Sequence, residues 1–144
     1  MNKILAWLPA LMVLGVIAYK PVKEATRSDL VNKNISVAVY KSSDYTSDAY
    51  DNTSAQLHII VEKVNTRGQH TIVWDKVMDS KELSAYPSIE NAVKQNITIH
   101  SVNEKKEYLV VDYTLIYNSQ GNELQMHDVS VVKDSNSSNV DIGI

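Results

Sequence analysis

The stretch Ala55-Gln-Leu-His-Ile-Ile-Val-Glu-Lys-Val64, Asn65-Thr-Arg-Gly68, Gln69-His-Thr-Ile-Val-Trp-Asp-Lys-Val-Met78 decides the fold. Ala55, Leu57, Ile59 and Val61 fall at every second position, so a strand places them on one face. Asn65 suits the first position of a type I turn. Gly68 suits the left-handed position that closes a hairpin with a bulge. The chain then returns through Ile72, Val73, Trp74 and Val77. The unit reads as a β-hairpin with one face turned to a core.

The same pattern recurs downstream. Glu107–Tyr117 carries Leu109, Val111, Tyr113, Leu115 and Tyr117 on one face and Val110 and Ile116 on the other. Apolar side chains on both faces mark a central strand rather than an edge. Asn118-Ser-Gln-Gly121 is a second N-x-x-G turn, and Glu123–Val132 completes that hairpin. Its apolar set shifts from Leu124 and Met126 to Val129 and Val131, a change of parity that predicts a bulge. Two further strands read from alternation: Asn34–Tyr40, with Ile35, Val37 and Val39, and Asn96–Val102. The charged turn Asn103-Glu-Lys-Lys106 joins the latter to Glu107.

Between Asp79 and Lys94 the period changes. Asp79-Ser-Lys-Glu82 has the form of a capping box. Pro87 ends any helix there, and Ser88 can cap a second short one presenting Ile89, Ala92 and Val93. The expectation is an all-β domain: a six-stranded antiparallel two-layer sandwich of immunoglobulin-like architecture with a short helical connection. Its boundaries fall at 34–133. Residues 20–33 read as a tether and the Ser/Asn-rich residues 134–144 as a flexible tail. The two halves share an outline, Asn65 and Gly68 matching Asn118 and Gly121, and Asp75 matching Asp128. Reuse of turn chemistry explains this; an ancient duplication would instead require paired three-stranded sheets.

The domain is preceded by Met1–Tyr19, in which Lys3 is followed by sixteen residues without charge. Such a run favours a bilayer or translocon over water. It reads as a secretory signal cut after Ala18, or as a membrane anchor at residues 4–19. A span needs about 20 apolar residues, so length favours the signal. The chain has no cysteine. That excludes a thioether-linked lipid, and an exported domain without disulfides points to a bacterial periplasm or cell surface. Net charge is −3, and the basic residues form no stripe, which excludes phosphate-dominated nucleic-acid binding.

Candidate chemistry is sparse. If the N-x-x-G turns set the register, His58 lies opposite Asp75 and His127 opposite Asp112. Such pairs orient an imidazole, but no G-x-S-x-G motif or cysteine accompanies them, so they read as cross-strand polar pairs. No H-x-H or H-E-x-x-H spacing marks a metal site, and no motif calls for a cofactor. The richest segment is the loop Tyr40-Lys-Ser-Ser-Asp-Tyr-Thr-Ser-Asp-Ala-Tyr-Asp-Asn-Thr53. Tyr40, Tyr45 and Tyr50 recur among Asp44, Asp48 and Asp51, a composition used by binding loops. The alternatives are a plain solvated connection or, from its three carboxylates, a calcium loop, although the spacing is not that of an EF-hand. Ile60, Val110, Ile116 and Trp74 put apolar groups on a second sheet face, to be covered by residues 79–94 or by a partner. The expectation is a non-catalytic binding or structural module of the cell envelope. Its partner would be an envelope protein or glycan. The alternatives are a membrane-anchored accessory subunit and a hydrolase.

Overall fold

The computed structural model describes residues 29–132 and 136–144. The leader, most of the tether and residues 133–135 lie outside the described residues. Among the described residues eight strands occur in chain order. They are β1 (Leu30–Tyr40), β2 (Thr53–Asn65), β3 (His70–Val77), β4 (Lys81–Glu82), β5 (Val93–Asn103), β6 (Glu107–Ser119), β7 (Asn122–Val132) and β8 (Ser137–Gly143). They form a three-stranded sheet in the order β5-β1-β8 and a five-stranded sheet in the order β3-β2-β6-β7, with β4 added beside β2.

One face of each sheet turns inward, and the result is β-sandwich-like. Ile35, Val37 and Val39 of β1, Ile97 and Ile99 of β5, and Val140 and Ile142 of β8 meet Leu57, Ile59 and Val61 of β2 and Leu109, Val111 and Leu115 of β6 in one core. The alternating residues supply this core because period two sends every second side chain to the same face. As expected, β6 is central, paired to β2 and β7. The turn Asn103–Lys106 carries the chain from one sheet to the other: among the described residues β5 pairs β1 alone, while β6 pairs β2 and β7.

Both hairpin turns use left-handed residues. Gly68 has φ 74°, and the Asn65 side chain accepts from the Arg67 and Gln69 amides. The second hairpin closes one residue later than N-x-x-G implies, which moves the cross-strand register by two. Ser119 pairs Asn122, and Gln120 and Gly121, at φ 51° and 81°, form a two-residue turn of type I′.

Several expectations are corrected. The strand that was to begin at Asn34 begins at Leu30, within the tether, because Lys33 is buried and salt-bridged to Glu104. The tail is not frayed. Asn34–Tyr40 of β1 pairs in parallel with residues 137–143, and Val140, Ile142 and Ile144 are buried. Six antiparallel strands are therefore eight, with one parallel pair. The connection at 79–94 contains only single 3-10 turns, Leu83–Ala85 and Ile89–Asn91, and neither Glu82 nor Ser88 makes a side-chain cap bond. Leu83 and Tyr86 enter the inter-sheet core, whereas Ile89 stays in water, so this segment does not cover the outer sheet face. β7 carries no bulge, since its register with β6 is unbroken from Leu109–Val132 to Ser119–Asn122. The parity change simply places Leu124 and Met126 on the inner face and Val129 and Val131 on the outer. Both hairpins lie in the same sheet, which removes the paired three-stranded sheets that a duplication required.

Candidate functional site

The five-stranded sheet is wider than the sheet packed on it, so the inner face of the first half of β7 projects beyond the core, whereas Val132 at its far end is buried within it. Leu124 and Met126, which pair Tyr117 and Leu115 of β6, remain 61% and 53% exposed. The loop between β1 and β2 folds towards this ledge. Its 3-10 turn Asp48–Tyr50 starts at Ser47, whose hydroxyl accepts from the Ala49 amide. Tyr45 and Tyr50 pack edge to face with ring centroids 5.0 Å apart. Between loop and ledge lies an open groove of about 430 Å³, lined chiefly by Tyr45, Tyr50, Leu83, Tyr117, Leu124 and Met126, with Glu123 as the one charged residue among the described lining residues.

The loop is held from below by the end of the chain. The Ile144 amide donates to the Tyr40 carbonyl, and the Ser42 amide donates to the Ile144 carbonyl, each at 2.8 Å. The Ser42 and Tyr45 hydroxyls donate to the same Ile144 carbonyl. Tyr45 has φ 51°, a left-handed conformation that these contacts offset. Burial raises the Tyr117 hydroxyl above its ordinary value, and the nearby Tyr45 adds to the shift. Tyr117 therefore meets the groove as a neutral hydrogen-bonding group.

Of the six loop residues singled out from sequence, the structure brings Tyr45 and Tyr50 together. Tyr40 lies apart, at the end of β1, with its ring over Gly143. Asp44, Asp48 and Asp51 are all exposed. Among the described residues no three His, Asp or Glu side chains gather to hold a metal ion, so the three aspartates do not converge as a calcium loop requires. Leu124, Met126, Leu83 and Tyr117 complete the groove and were not foreseen. The exposed inner face of an edge strand depends on how far the opposing sheet reaches, which no local pattern encodes.

The histidine pairs form, but diagonally. His58 pairs Val77 in the register while its Nε2 lies 2.7 Å from Asp75. His127 pairs Thr114 while its Nε2 lies 2.8 Å from Asp112. A third pair joins His70 to Glu62 at 2.7 Å. All three occupy the outer face of the five-stranded sheet, away from the groove. No family model, curated protein or solved structure matches the chain.

Proposed function

We propose that this chain is an exported, non-catalytic binding module of a bacterial envelope, and that the Tyr45/Tyr50–Leu124/Met126 groove is its recognition surface. One observation carries the reading. Two large apolar side chains stand more than half exposed on the floor of a concave site, facing an edge-to-face tyrosine pair. Isolated exposed apolar residues need no explanation, but a concave group of them does. Tyrosines add contact area at low cost in side-chain entropy. The leader at Met1–Tyr19 and the absence of cysteine support export to a bacterial compartment. The immunoglobulin-like architecture expected of such a module belongs to the same proposal and carries no activity of its own.

The histidine–carboxylate pairs favour this reading over a hydrolase. They lie on an open sheet face, and the groove lining contains no histidine. The experiment is methyl-labelled NMR of the full chain, titrated in turn with the soluble peptide, glycan and lipid fractions of a bacterial envelope. One fraction is expected to shift the Leu124 and Met126 signals without being turned over. Absence of any shift, or conversion of a component, removes the proposal. Mass spectrometry of the mature chain separates a secreted module from an anchored accessory subunit, since only the latter retains residues 1–19.

A further inference from the structure

We propose that the first half of β7, Glu123–His127, accepts an extended basic-and-apolar peptide as an added strand, with the peptide's inward side chains entering the groove. This rests on the groove being the recognition surface, and it names the class of ligand.

Backbone phase is the first support. The Met78 amide donates to the Leu57 carbonyl, so Leu57 bonds towards β3 and His58 towards β6. Thr114, paired with His58, therefore bonds towards β2, and His127, paired with Thr114, turns its N–H and C=O to the free edge. Gln125 and Glu123, two and four residues away, do the same. Among the described residues β7 pairs only β6, so these outward groups have no backbone partner. The next outward amide is closed: Val129 N–H donates to the Asp128 carboxylate at 2.8 Å, while the other Asp128 oxygen accepts from Tyr113. Asp128 thus limits the open edge to its first half.

The other edges carry devices that discourage strand addition. β3 has a register break opposite Val61–Glu62 and carries Lys76. β5 has a break opposite Val31–Lys33, with Ser101 at φ 57°. β8 spans seven residues. β7 runs eleven residues without a break, a proline or a lysine.

Geometry and charge name the occupant. Leu124 and Met126 face the added strand as the closer, non-hydrogen-bonded pairs, so the side chains opposite them enter the groove. The surroundings are acidic: Glu123 in the lining, Asp128 on β7, and Asp48 and Asp51 flanking Tyr50 on the loop, with no lysine or arginine among the described lining residues or on β7. A second copy would bring the same acidic strand to this edge. A peptide of alternating apolar residues with lysine or arginine fits both features.

A phage-displayed library of random dodecapeptides selected on the full chain tests this. The expected winners lack proline, carry lysine or arginine, and place apolar residues at alternate positions. N-methylation of alternate amides in a synthetic winner lowers its affinity roughly tenfold or more, because it removes the ladder bonds. Gln125→Pro, which deletes one outward N–H and no bond to β6, has the same effect; the methylated peptide keeps the test valid should that variant misfold. If methylation leaves affinity unchanged, strand addition is overturned. Loss of binding in Tyr50→Ala would then retain the groove alone, and no loss would remove both. Failure to enrich any peptide, or sedimentation showing a dimer that Gln125→Pro dissociates, also overturns the proposal; the envelope titration then judges the groove by itself.

Discussion

Ile142 of β8 lies beside Val39 of β1 in parallel register, and both side chains are fully enclosed. The end of the chain is therefore part of the core rather than an appendage. Ile142→Ala is expected to cost about 2–5 kcal/mol. Asp141→Ala, on the exposed side of the same strand, should stay within about 0.5 kcal/mol. Urea unfolding of the two variants checks this, and equal, negligible effects would mean that β8 contributes nothing.

Tyr86 makes the fold sensitive to alkali. Its ring is buried, and its hydroxyl donates to the Ala55 carbonyl at 2.8 Å. Burial raises this hydroxyl above its ordinary 10.0, and the neighbouring Tyr117 adds to the shift. The folded state thus holds the proton more tightly than the unfolded chain. The resulting stability is complete below pH 10 and is lost as pH rises through the folded value. Burial moves Tyr113 and Tyr117 in the same direction. The urea midpoint should fall above pH 10, and less steeply in Tyr86→Phe. At neutral pH that variant costs about 0.5–1.5 kcal/mol.

The β6–β7 turn can be improved. Gln120 occupies the left-handed region at φ 51°, where asparagine is better tolerated. Gln120→Asn should stabilise the hairpin by about 0.5 kcal/mol. Gly121→Ala should cost about 1 kcal/mol through backbone strain alone, since nothing lies within 4 Å of the added Cβ. Thermal unfolding gives both signs.

His127 and Asp112 should behave as a surface pair. A double-mutant cycle with His127→Gln and Asp112→Asn is expected to give a coupling below about 1 kcal/mol, reduced by salt. A much larger coupling would imply a desolvated pair and reopen the dyad reading.

How much of this was legible in sequence varies by element. Ala55–Met78 and Glu107–Val132 announce hairpins because turn chemistry and period two act between near neighbours. Register was less legible. Whether Asn118 or Ser119 closes the second turn depends on which backbone positions are left-handed, and Gln120 is an unusual occupant. That shift moved His127 from opposite Asp112 to a diagonal position; in the first hairpin the register break at Val61/Glu62 helps displace His58 from Asp75. Val140, Ile142 and Ile144 do alternate, but among Ser, Asn and Asp the pattern is short. Only β1, a hundred residues earlier in the chain, makes it a strand.

The sequence by itself determined the β class, the two hairpins, the central place of β6 and the inward sets of β1 and β2. These follow from alternation and local backbone preference. Tertiary structure alone decided the parallel β1–β8 pair, the divergence of β5 and β6 into opposite sheets, and the groove under Tyr45 and Tyr50. Each of these depends on which distant strand covers which face. The groove exists because the three-stranded sheet stops short of the first half of β7, and the reach of one sheet over another is set by packing rather than by any local run of residues.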